Sequence, residues 1–178
     1  MENDILTFWF EECEPKDWFK KDDAFDALLK DKFGALVEKA LEGEMADWPK
    51  SLDGRLALIL LADQFTRNIY RDTPKAFAGD DIALKLTLEA LDEGLIEQYE
   101  GDKRQFMLTP LMHSESLDIQ NRSIKAYEQY GSEQGLDYAH RHRDIIVRFG
   151  RYPHRNEILN RTSTTEEIEF LKGPNSSF

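Results

Sequence analysis

One cysteine, Cys13, stands in the 178 residues, which excludes an intramolecular disulfide and any cysteine-rich zinc site. Valine and threonine are scarce, 2 and 8 against 21 leucines and 13 alanines. That usage argues against a β protein, because strands favour β-branched side chains. No apolar run exceeds the seven residues from Leu56 to Ala62, far short of a membrane span. The opening MENDILTFWFEE has no basic stretch ahead of its interrupted apolar one and does not read as a secretory signal. Glycine-rich phosphate loops of the P-loop or dinucleotide type are absent. Positive charge is also short. Lys+Arg is 23 against 35 Asp+Glu, a net charge of -12 that repels nucleic acid and anionic membranes unless a local basic patch exists. The expectation is a cytoplasmic protein with no nucleic-acid or membrane partner.

What remains is 40% hydrophobic and 11% aromatic, enough for a packed core and one domain at this length. Apolar residues at Phe25, Leu28, Leu29, Phe33, Leu36, Val37, Ala40 and Leu41 recur at steps of three and four and predict a helix over 22–42. Asp22 suits its cap and Gly43 its stop. Similar patterns predict helices over 4–12, 53–65, 80–93, 102–108, 114–130, 133–149 and 165–172. Asp102 is a candidate cap, Pro110 marks a helix end, Ser114 is the next candidate cap, and Thr164 with Glu167 is spaced as a capping box. The expected architecture is all-α, about eight helices in antiparallel pairs and a single domain over 1–178. Residues 1–50 form a candidate N-terminal subdomain packed on the rest.

Charge is uneven along the chain. Residues 1–50 carry 14 acids and 7 lysines, whereas residues 140–161 carry six arginines, two acids and three histidines. Arginine presents a planar fork of donors suited to carboxylate or phosphate, although internal pairing with the surplus acids explains such a cluster equally well. Three segments set polar groups beside apolar stripes. In LLADQFTRNIYR, Asp63 and Arg67 are one turn apart, as are Gln64 and Asn68, and an inward Asp63 needs a partner such as Arg67. In PLMHSE, His113 shares a helical face with Leu117 and Gln120, and Glu115 follows. In HRDIIVRFGRYPHRN, His142 faces inward with Ile145, Ile146 and Phe149. Asp144 and Arg148 mark a polar side, and Arg151, His154, Arg155 and Asn156 gather where Pro153 opens a new turn. His140 and His142 are two apart and cannot clamp one ion, so neither a metal nor a cofactor is expected.

The combination of FWF and DWF near the N-terminus, LLADQFTRNIYR, AFAGDDIAL, PLMHSE and HRDIIVRFGRYPHRN with ILNRTSTTEEIEFL resembles the bacterial family of unknown function numbered 924. The likeness runs from about Phe8 to Leu171. Thr66 replaces the family's usual proline, and Asn160 its usual glycine; asparagine tolerates the left-handed backbone better than most residues. The resemblance implies an all-α fold of stacked helical hairpins similar to tetratricopeptide-repeat proteins, and no established reaction.

The residues therefore point to a pocket for a small anion. Asp63, Arg67, Asn68, Arg148, Arg151, His154, Arg155 and Asn156 are the expected binding residues, and His113, Glu115 and His142 the candidates for orienting a ligand or moving protons. No motif selects a reaction. The rival is a helical interaction module that takes a peptide or carboxylate-bearing partner.

Overall fold

Asp22 accepts hydrogen bonds from the backbone N–H groups of Ala24 and Phe25 and starts the longest helix, α3 (Asp23–Leu41). Its buried side is Leu29, Phe33, Val37 and Ala40, the spacing seen in the sequence. The computed structural model describes residues 1–177, and helices with their connecting turns are the regular structure found there. The other helices are α1 (Glu2–Thr7), α2 (Pro15–Trp18), α4 (Leu52–Ile59), α5 (Thr66–Ile69), α6 (Asp80–Asp92), α7 (Gly101–His113), α8 (Leu117–Tyr130), α9 (Glu133–Phe149) and α10 (Thr165–Leu171). The eight predicted helices are present; α2 and α5 are short additions.

Two helices widen into π turns, and both do so on the motifs. Helix α1 continues as a π segment over Phe8–Glu12, and α4 as one over Leu60–Phe65 that runs into α5. Such turns insert an extra residue into the helical ladder and recur at functional sites. Thr66, just past the second, donates its hydroxyl to the carbonyls of Ala62 and Asp63.

Consecutive helices pack as neighbours: α6 on α7, α7 on α8, and α8 on α9. One continuous apolar core extends from Ile5 to Ala139, so residues 1–50 contribute to the same core as the rest. Trp9 lies at its centre, fully buried among Trp18, Phe25, Phe65 and Phe106. A smaller cluster of Ile145, Ile146 and Tyr152 lies beneath the C-terminal segment.

Three boundary expectations are corrected. Pro110 does not end its helix but lies inside α7. Proline costs the ladder one N–H donor, yet Phe106, Met107, Leu108, Leu111 and Met112 are all buried there and hold the helix by packing. Helix α7 also starts before the expected Asp102 cap, with Glu100 as N-cap. Ser114 does not cap α8 either. That helix starts at Leu117 with Ser116 as N-cap, and the Ser114 hydroxyl accepts from the Ser116 N–H. His113 is consequently the last residue of α7, not part of the face that carries Leu117 and Gln120.

Other local readings stand as expected. Gly43 and Gly150 adopt φ of 76° and 68° after α3 and α9, and Asn160 takes φ 54°. The Thr164–Glu167 capping box is present at α10.

Candidate functional site

Asp63 sits on the π segment and is 1% exposed, so its charge must be met from within the chain. Three neighbours meet it. His113 Nδ1 lies 2.6 Å from Oδ1, Arg67 places a guanidinium nitrogen 2.8 Å from the same oxygen, and the Gln64 amide donates to Oδ2. Burial alone would push the Asp63 carboxyl up. The Arg67 guanidinium and His113 beside it outweigh that and hold it well below the usual carboxylate range. With Asp63 ionised, the His113 Nδ1 carries the proton and Nε2 is left as the acceptor. Burial first, and Arg67 second, lower the His113 pKa and favour neutral imidazole.

Arg67 also bridges to Asp80, at 2.9 Å. Asp80 opens α6 directly after Gly79, and the close approach of Gly79 to the π segment explains its placement. A Cβ on Gly79 would come within 2.1 Å of the Ala62 carbonyl oxygen, so only glycine lets α6 start this near to Asp63. Asp80 is shared, since Arg155 reaches it at 3.3 Å and donates as well to the His113 carbonyl at 3.0 Å. The Arg155 guanidinium lies over the rings of Phe77 and Tyr152, 4.6 and 4.7 Å from their centroids. Asp63, Arg67, Asp80 and Arg155 form a chain of alternating charge.

A cavity of about 1380 Å³ opens over this chain. Three of the four histidines line it: His113, His142 and His154. The His113 and His142 rings are 6.3 Å apart, and Tyr152 packs against both His142 and His154. His142 binds the Tyr138 carbonyl through Nδ1. Burial takes the His142 pKa down to about 3 and that of His154 to about 4. Among the described residues, His154 Nδ1 and Arg155 Nε are buried without a hydrogen-bond partner in the chain. Basic lining side chains are Lys16, Arg67, Arg71, Arg104, Arg141 and Arg155, against acidic Asp72 and Asp102. Further acids stand behind them, with Asp26 holding Arg71 at 2.7 Å and Asp137 holding Arg141 at 2.6 Å. Among the described residues no group of three or more His, Cys, Asp or Glu is placed to hold a metal ion.

The other expected site residues fall into three sets. Asn68 lines the cavity and donates to Asp26. Glu115 accepts both nitrogens of an Arg161 fork and the Tyr152 N–H, while Asn156 bonds Ser163 and Arg161. These two brace the Tyr152–Arg155 turn from behind and do not line the cavity. Arg148 and Arg151 are absent from its lining as well. Arg148 pairs with Glu166, and Arg151 grips Glu167 through two nitrogens at 2.7 and 2.8 Å. The acids of α10 claim them, so the arginine-rich segment divides between locking the last helix and facing the cavity. Glu167 is held down to about 2, chiefly by the Arg151 hydrogen bond. Sequence reasoning missed Asp80, Phe77 and Tyr152, although the AFAGDDIAL motif carries the first two. Gln120, which donates to the Met112 and Ser114 carbonyls and to the Tyr152 hydroxyl, was legible only as a position on a helical face.

The buried histidines make stability depend on pH with a definite sign. Their folded pKa values lie below the ordinary value of about 6.5, so the unfolded chain takes up protons first. Stability therefore falls as pH drops from about 6.5 towards 4. At pH 5 unfolding should take up about two protons through His142 and His154 together. Unfolding midpoints in urea measured from pH 7 to pH 4.5 should show this slope, and His154→Asn should reduce it by about one proton. An unchanged slope in that variant would contradict the assignment.

Comparison with known proteins places the chain. No curated protein matches. The structure of the protein of unknown function ATU0120 from Agrobacterium tumefaciens is similar at 38% sequence identity, with a TM-score of 0.90 over 97% of each chain. A family profile described as a bacterial protein of unknown function, DUF924, matches residues 5–175. With nearly its whole length matched, motifs and helices included, the chain belongs to the DUF924 family.

Proposed function

We propose that the chain binds a small anionic molecule in the cavity over Arg67, His113 and Arg155. The observation that carries this reading is the pair of buried polar atoms, His154 Nδ1 and Arg155 Nε, that find no partner in the chain beside that cavity. Buried polar groups are otherwise nearly always satisfied, and two neighbouring exceptions on residues that line one cavity are met by a ligand that enters it. The basic excess of the lining supports the sign of the ligand, and the neutral histidines can orient it or accept a proton. Glu115 and Arg161 act as positioning groups for the turn that carries His154 and Arg155. Among the described residues no helix is long and apolar enough to cross a membrane. With one cysteine, whose thiol burial raises to about 11, the chain suits a reducing cytoplasm.

An anion should raise the thermal midpoint at constant ionic strength. At 100 times its dissociation constant the gain is about 2.7 kcal/mol. A panel of phosphorylated metabolites and dicarboxylates, each read against the variant's own midpoint, is the measurement. Arg155→Lys keeps the charge but loses the fork that spans Asp80 and the His113 carbonyl, and should weaken the response. No shift with any anion would end this reading.

A second reading rests on size. A cavity of about 1380 Å³ exceeds the roughly 300–1,000 Å³ of most small-molecule sites. A groove between stacked hairpins of the tetratricopeptide kind would instead take a peptide carboxylate on the same arginines. Saturation by peptides but not by free anions would favour it.

A further inference from the structure

The cavity has an aromatic end, and it comes from the DWF motif. Phe19, just after α2, is 75% exposed. That segment is fixed. Glu14 and Asp17 form a capping box at α2, and Trp18, 8% exposed, donates its indole N–H to the Trp9 carbonyl at 3.0 Å. Phe19 lies nearly parallel to Phe106, with an interplanar angle of 12° and centroids 6.2 Å apart. Phe106 is itself buried, so the free ring is Phe19, and both rings line the cavity.

Helix α7 connects this end to the polar one. Phe106 and His113 are seven residues apart on it, and both line the cavity with Thr109 between them. Seven residues are two turns, a rise of about 10 Å. The cations near the aromatic end are engaged elsewhere: Lys16 pairs with Glu14, and Arg104 donates to the carbonyls of Tyr99 and Glu97.

We infer that the ligand is an amphiphilic anion, with an aryl group that packs on the exposed ring of Phe19, which Phe106 backs, and an acidic group about 10 Å away at Arg155 and His113. The inference rests on the anion-binding reading and adds the ligand's second half. A flat ring suits the open face of Phe19, which its near-parallel contact with Phe106 holds in place, and stacking adds attraction beyond buried area. Phe19 then sets specificity by length and ring, and Arg155 by charge.

The test is calorimetric titration with hexanoate, phenylhexanoate, benzoate and inorganic phosphate at constant ionic strength. Phenylhexanoate, long enough to reach both ends, should bind about tenfold tighter than hexanoate. Benzoate, too short, should gain nothing over hexanoate. Phe19→Ala removes an exposed side chain and should leave the fold intact. It should abolish the tenfold gain and leave hexanoate binding unchanged, whereas Arg155→Lys should weaken both acids. If hexanoate and phosphate bind but the ring adds nothing, or if Phe19→Ala keeps the gain, this inference falls and the anion reading stands. If no probe binds, both fall.

Discussion

Replacing Asp63 by alanine is expected to cost about 3–5 kcal/mol of unfolding free energy. The carboxylate is buried, and three side chains converge on it. Removing it strips a buried partner from Arg67 and a buried acceptor from His113. At this chain length a loss of that size lowers the thermal midpoint by about 10 °C. Urea unfolding should show a lower midpoint at unchanged slope. Asp63→Asn keeps the shape and can still accept from His113, so it should cost less, with the remainder assignable to the lost charge. A loss below about 1 kcal/mol for the alanine variant would mean that Asp80 alone suffices for Arg67.

The second large effect is expected at Trp9. Truncation to alanine empties the centre of an aromatic cluster whose rings lie 5.2 to 6.3 Å from it and should cost about 3–5 kcal/mol. Trp9→Phe should cost under half of that. It keeps much of the volume and deletes an indole N–H that is buried with no partner in the chain. The Trp18 hydrogen bond goes to the backbone carbonyl of Trp9 and survives either change. A phenylalanine variant as unstable as the alanine one would show that shape at the cluster, not volume, sets the cost.

Legibility differed between fold and site for physical reasons. Helical periodicity is local, so the apolar stripe of α3, its Asp22 cap and the Thr164–Glu167 box could be read directly. Pro110 misled because its backbone preference is local while the packing that overrides it comes from distant helices. For the site, the i, i+4 pair of Asp63 and Arg67 was visible, since both lie on one helix. Which acid each arginine takes was not, because charge has no period. Arg151 and Arg155 are four residues apart, yet one binds Glu167 and the other Asp80. Nothing in spacing distinguishes them; the course of the chain from Pro153 to α10 does.

The wide turn at Leu60–Phe65 has a consequence for how this helix can vary. It works as a rotary coupling between an apolar half, Leu52–Ile59, and the polar half that carries Asp63, Arg67 and Asn68. A residue lost from α4 ahead of it, with the wide turn kept, would swing everything after it by about 100°. Asp63 would leave its pocket beside His113, while the apolar half kept its seat in the core. Point substitutions around that turn alter contacts one at a time. A single insertion or deletion would misaim the whole polar half at once, so chain length in this stretch is as constrained as residue identity.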